Sequence, residues 1–124
     1  MAQGRGSAMS LVALVFVMIC LLEVSTAATT YTVGDSRGWT FNMVSWPAGK
    51  RFRAGDVLVF QYDNSAHNVV AVNAAGYKSC LVPRGSRTYR SGSDRITLRR
   101  GANFFLCSIP GHCQSGMKVQ VNAA

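Results

Sequence analysis

Residues Cys107 to Met117 read CSIPGHCQSGM and gather two cysteines, a histidine and a methionine into eleven positions. Cys107 closes the apolar run NFFLC, and Met117 opens the alternating run MKVQVN. The segment between them carries Pro110, Gly111, His112 and Gly116, the composition of a loop joining neighbouring strands. Such a loop returns its ends to one another, so Cys107 and Met117 should lie close, with His112 arching over them. The other histidine of the chain, His67, stands 40 residues before Cys107, at the head of the apolar run NVVAV. One thiolate, two imidazoles and one thioether form a soft donor set. Two histidines and a cysteine in a trigonal plane, with a weak axial methionine, suit copper in both oxidation states.

Each residue also has a plainer reading. A methionine at the mouth of a strand is commonly core filling, and a histidine beside a strand commonly packs or faces water. Cys107 and Cys113 could bond to each other and leave Cys80 free. A zinc site could take His67, Cys107, His112 and Cys113, although the close Cys-x2-Cys spacing of structural zinc sites is missing. A nucleophilic Cys107 would need an open electropositive pocket, whereas it follows Phe104-Phe105-Leu106. The conjunction favours copper: both histidines of the chain stand where such a site needs them. If Cys107 is the thiolate, Cys80 and Cys113 are left as a possible pair.

The elements that must carry these residues read as strands. Apolar and polar residues alternate with period two in VLVFQYD (57–63), RITLR (95–99) and MKVQVN (117–122), and YTV (31–33), NVVAV (68–72) and NFFLC (103–107) complete the set. Glycines punctuate the intervals. Short strands at regular spacing predict an all-β sandwich or barrel. Helix should be confined to short pieces around Thr40–Trp46 or Tyr77–Leu81. Trp39 and Trp46 read as packing residues, not as a binding platform.

The first 27 residues have the form of a secretory leader. Arg5 precedes the apolar run LVALVFVMICLL (11–22), which is followed by EVSTAA. The run is too short for a membrane helix and has the flanks of a signal peptide cleaved after Ala27 or Ala28. Residues 28–124 then form one domain, secreted and without a membrane anchor. Cleavage removes Arg5 and Glu23 together, so the net charge of +8 persists, and it removes Cys20, so three cysteines remain. An oxidising compartment pairs cysteines, and an odd count leaves one thiol with separate work.

With TYTVGDSRGWTF near residue 30, SWPAGKRFRAGDVLVFQY, AHNVV and CSIPGHCQSGMKVQVN, the chain resembles the phytocyanins, the plant blue copper proteins, and among them the plantacyanins or basic blue proteins. The resemblance covers essentially all of residues 28–124. It implies a cupredoxin-like Greek-key sandwich with one type 1 copper per chain, ligated by His67, Cys107, His112 and Met117, and a Cys80–Cys113 disulfide. The stellacyanin branch would place Gln where Met117 stands, and the nodulin-like branch loses ligands that this chain keeps. It implies an electron carrier and not an enzyme, with His112 at the exchange face beside Pro110 and Ile109. It also implies an extracellular, apoplastic setting and an association with reproductive tissue and pollen-tube guidance. The alternative is a secreted signalling or cell-wall-binding protein in which copper is structural or a redox sensor.

The basic residues are scattered and gather into no nucleic-acid motif, and secretion disfavours that partner. A charge of +8 instead favours an acidic redox partner or an anionic cell-wall polysaccharide, with salt weakening the attraction. The chain is expected to act as a monomer.

Overall fold

The computed structural model describes residues 27–124, so nearly all of the expected leader, with Cys20, lies outside the described residues. Seven strands appear in chain order: β1 (Thr30–Thr32), β2 (Val57–Gln61), β3 (Val69–Val72), β4 (Thr88–Tyr89), β5 (Ser93–Thr97), β6 (Gly101–Leu106) and β7 (Lys118–Ala123). They form two sheets, β1-β2-β5 and β4-β3-β6-β7. The β1–β2 pair is parallel, and every other pair of named strands is antiparallel. The expected all-β sandwich is present. Among the described residues no helix is long and apolar enough to cross a membrane.

The two sheets bury their facing sides in one core. Val33, Trp39, Leu58, Phe60, Val69, Phe105, Val119 and Val121 meet there with Cys107 and Met117. Each large apolar side chain taken fully from water contributes about 1.5–3 kcal/mol. Trp39 stands edge-on to Phe60 at 5.0 Å, and Phe60 edge-on to Phe105 at 5.3 Å, between ring centroids. Period two predicts one buried face, and β5 and β7 follow it with alternating burial. β3 and β6 do not, because the second sheet is also covered on its outer side. There Val70 and Leu106 join Cys113, with Val72 and Cys80 packed against them. Strands buried on both faces read as continuous apolar runs, which accounts for NVVAV and NFFLC.

The helix expectation needs correction. Residues 40–46 form turns and bends, and the one α-helix, α1 (Ala74–Ser79), starts before the Tyr77–Leu81 window. Its six residues are too few to display a period. Its N-cap is Asn73, whose side chain accepts from the Gly76 amide, a local bond that favours helix initiation. β4, two residues long, left no alternation to detect.

Buried carboxylates tie the first sheet together. Asp56 accepts from the amides of Thr29 at 2.9 Å and Arg53 at 2.8 Å, which seats the chain entering β1 against β2. Asp94, on β5, accepts from the Tyr62 hydroxyl just beyond β2 and from the Ser91 hydroxyl. Gly34 makes the turn after β1 possible: its φ is +80°, and a Cβ there would stand 2.0 Å from the Gly38 carbonyl oxygen.

Burial and then the Asp94 hydrogen bond push the Tyr62 phenol up to about 12. An unfolded chain ionises this tyrosine near its ordinary value of about 10. Between those limits unfolding releases a proton, so stability should fall as pH rises from about 10 to about 12. Tyr62→Phe should flatten that alkaline limb in urea unfolding and lower neutral-pH stability by about 1–2 kcal/mol, because Asp94 loses a donor.

Candidate metal centre

Three strand ends build the site. His67 lies two residues before β3, Cys107 directly after β6, and Met117 directly before β7. Because β3 and β7 both pair with β6 and run against it, their starts meet its end. The Cys107 amide donates to the Met117 carbonyl at 3.0 Å, extending the β6–β7 ladder to both residues. The loop between them closes as consecutive turns. The His112 amide donates to the Ile109 carbonyl, and the Met117 amide donates back to the His112 carbonyl, each at 3.0 Å. Gly116 sits at φ +86° against the backbone of Asn42, where an added Cβ would stand 3.1 Å from the Asn42 nitrogen. The Met43 amide donates to the Gly116 carbonyl at the same contact.

The side chains converge. The Nδ1 atoms of His67 and His112 are 3.1 Å apart, and Cys107 Sγ lies 3.5 Å from His112 Nδ1. One donor atom from each of His67, Cys107 and His112 lies within 4.8 Å of the others. Cys107 and Met117 are wholly buried in the same core cluster. The histidines are each half-buried. His67 sits at the loop–strand junction, two residues short of the ladder, and is only partly buried. Burial first, and the neighbouring His112 next, hold the His67 imidazole below its ordinary value against the opposing pull of Asp63. That favours the neutral ring, the form that binds metals.

Residues that spectator patterns do not reveal fix these groups. Asn68 is 4% exposed and bridges the two neighbouring ligand-bearing segments. Its Oδ1 accepts from the Ser108 amide and its Nδ2 donates to the Ser108 hydroxyl, each at 2.8 Å. Its carbonyl accepts from the Trp39 indole at 2.9 Å. Phe41 stands edge-on to both imidazoles, with ring centroids 5.8 Å from His67 and 5.0 Å from His112. Sequence reading missed Asn68, Ser108 and Phe41. The signal for the first two was their place directly after His67 and Cys107; Phe41 left none, since only the folded chain brings it to the rings.

Cys80 and Cys113 are joined by a disulfide that spans 33 positions, and Cys107 is the free, buried cysteine among the described residues. The Cys107–Cys113 bridge is thereby excluded, and so is the zinc set that used Cys113. The bond pins the residue next to His112 to the residue that caps α1. Closing a loop of that length is worth about 3–4 kcal/mol in the chain-entropy picture.

The convergence is itself a chemical statement. Two imidazole nitrogens and a sulfur gather within one ion's reach, and no carboxylate joins the cluster among the described residues. Hard cations prefer oxygen ligands; this donor set suits a soft or borderline ion, and with Met117 sulfur in the same pocket it fits copper best.

A family model described as a plastocyanin-like domain matches residues 39–117. The chain is 58% identical over 127 residues to a chemocyanin of Lilium longiflorum, covering 100% of both chains. It is 54% identical over 128 residues to a basic blue protein of Arabidopsis thaliana, covering 99% of each. Among solved structures, cucumber basic protein, a blue copper protein, superposes with a TM-score of 0.77 at 57% identity, over 77% of this chain and 100% of that one.

Asn68→Ala removes both side-chain bonds to Ser108. Urea unfolding of the metal-free protein should show a loss of about 2 kcal/mol, and Asn68→Asp, which keeps the acceptor for the Ser108 amide, should recover part of it.

Proposed function

The chain belongs to the plastocyanin-like family, as a phytocyanin, and from that premise we propose that it is a one-electron carrier built around a single type 1 copper. The observation that carries this reading is the meeting of His67, Cys107 and His112 donor atoms within 4.8 Å beside buried Met117. In this reading His67, Cys107, His112 and Met117 would hold the metal. Copper held there would supply a Cu(II)/Cu(I) couple, tuned by the methionine sulfur and by the surroundings of the cysteine sulfur.

The chain's own part is to keep the ligands still. Cys107 and Met117 are locked by ladder hydrogen bonds, His112 by the turns and the disulfide, and His67 by its link through Asn68 to Ser108. Ligands that cannot rearrange suit a centre that gains and loses an electron without reorganising. The four ligands fill the coordination positions and leave none for a substrate, unlike catalytic sites that keep one open. The relatives are blue copper proteins, which supports a carrier over an enzyme.

The half-buried His112 offers the route to the surface. Ile109 is 37% exposed and Pro110 is exposed, so they frame a small apolar face beside His112 where a redox partner would dock. A net charge of +8 favours an acidic partner. Residues 1–27 would act as a signal peptide and deliver residues 28–124 to the extracellular space, the apoplast and its wall matrix. The charge fits an anionic wall polysaccharide there, and a role in reproductive tissue follows the family association. A monomer is sufficient, since every proposed ligand comes from one chain.

Loaded with Cu(II), the protein should show an intense orange-red absorption band and a narrow parallel hyperfine splitting. Cys107→Ser should lose both while keeping its far-ultraviolet dichroism. A pale, ordinary cupric spectrum from the unaltered protein would overturn the assignment. Ile109→Glu should keep the colour and slow electron exchange with small anionic redox reagents by about tenfold; an unchanged rate would remove Ile109 from the docking face.

A further inference from the structure

A cleft of about 540 Å³ opens between the two sheets, away from the metal centre. One wall is β5, the last strand of the first sheet, and the other is β4 with β3 and β6 behind it. Val72, on its lining, lies five residues along the strand from His67, about 16 Å at strand rise. Arg87, Arg95 and Arg99 all line the cleft, and no acidic residue does.

Those arginines have no internal counter-charge. Of the four acidic residues in the described chain, Asp56 and Asp94 are buried and committed to hydrogen bonds. Asp35 lies 4.0 Å from Lys50, the single ion pair among the described residues, and Asp63 caps Ser65 in the turn before His67. The Arg87 guanidinium rests 4.8 Å from the centre of the Tyr89 ring, which holds its plane while leaving its N–H edges free.

The main chain adds donors and acceptors to the same wall. The Leu98 amide donates to the Asp56 carbonyl, and the Gly55 amide donates to the Leu98 carbonyl, so Leu98 faces β2. In an antiparallel ladder alternate residues face alternate sides, which turns the backbone groups of Arg95 and Thr97 toward the open edge. The Asn103 side chain already takes both the amide and the carbonyl of Arg99. Two residues of free edge are too few to seat an added strand.

We propose that this arginine-lined cleft is a binding site for a linear, carboxylate-bearing oligosaccharide, a chain of uronic acids. Guanidinium forks match carboxylates in two-pronged geometry, and three of them across the cleft match charges that recur along a polymer. The Thr97 hydroxyl and the free edge of β5 meet sugar hydroxyls, and half-buried Ala71 adds a small apolar contact. The volume lies in the range of small-ligand clefts. A narrow chain enters such a slot, whereas the convex surface of a folded acidic protein does not. Bound in this way, the protein would be held on a polyanion with the His112 face still open.

The test is calorimetric binding of short oligogalacturonates to the copper-loaded protein at fixed ionic strength. Arg87→Gln/Arg95→Gln/Arg99→Gln is compared with Arg51→Gln/Lys78→Gln/Arg84→Gln, a triple away from the cleft that lowers the charge equally. The cleft triple should bind about tenfold or more weakly, the control triple by less than about threefold, and methyl-esterified oligomers should not bind. Arg95→Gln and Arg99→Gln singly should each give part of the loss if the triple folds poorly. Equal weakening by both triples, no binding by the unaltered protein, or equal binding of polyglutamate would each overturn the proposal. The visible spectrum reports separately: a colourless protein that still binds would refute the copper reading alone.

Discussion

A metal site needs its donor atoms in one place, and the structure is organised to hold three of them together. The nitrogens of His67 and His112 and the sulfur of Cys107 lie within 4.8 Å, although the chain separates the first from the other two by at least 40 positions. A bound cation would tie the donors to one another, but the scaffold must keep them together through the metal-free state. The β3-β6-β7 order accomplishes this, since antiparallel pairing on both sides of β6 puts two strand starts beside one strand end. Fully buried Cys107 and Met117 then belong to the hydrophobic core as much as to the site. Packing energy, which depends on the whole sandwich, fixes the position of the two sulfur atoms.

The histidines are not held by burial in the same way, since both are only half-buried. Polar and covalent ties replace it. Asn68 links the segment after His67 to the segment after Cys107 through paired hydrogen bonds, and Trp39 anchors the Asn68 carbonyl from within the core. The Cys80–Cys113 bond stops the His112 loop from drifting, and Phe41 closes against both rings. A site can thus be rigid at its surface when each exposed group is tied to a buried one.

Charge is distributed with a similar division of labour. Two of the four acidic residues in the described chain are spent inside, seating β1 on β2 and β5 beside Tyr62. The outer surface keeps its arginines with few partners, which raises the field of the molecule without bearing on the fold. The cleft between β4 and β5 concentrates that field at a distance from the metal centre.

The sequence alone carried the donor chemistry and the class of fold. Two histidines, three cysteines past the expected leader and a Pro/Gly loop between Cys107 and Met117 restrict the site before any contact is known, because ligand type and loop closure are local properties. Alternation in β5 and β7 was equally plain, since each shows the core one face. Tertiary structure decided what depends on distant partners. Which cysteine stays free followed from Cys80 and Cys113 meeting across 33 positions. The double-sided burial of β3 and β6 followed from α1 covering the outer face. The approach of Phe41 to the histidines has no local signature, because residues far apart in the chain become neighbours only when the sheets close; Arg95 and Arg99 share one face of the RITLR alternation, and the fold adds Arg87 and the opposing wall of the cleft.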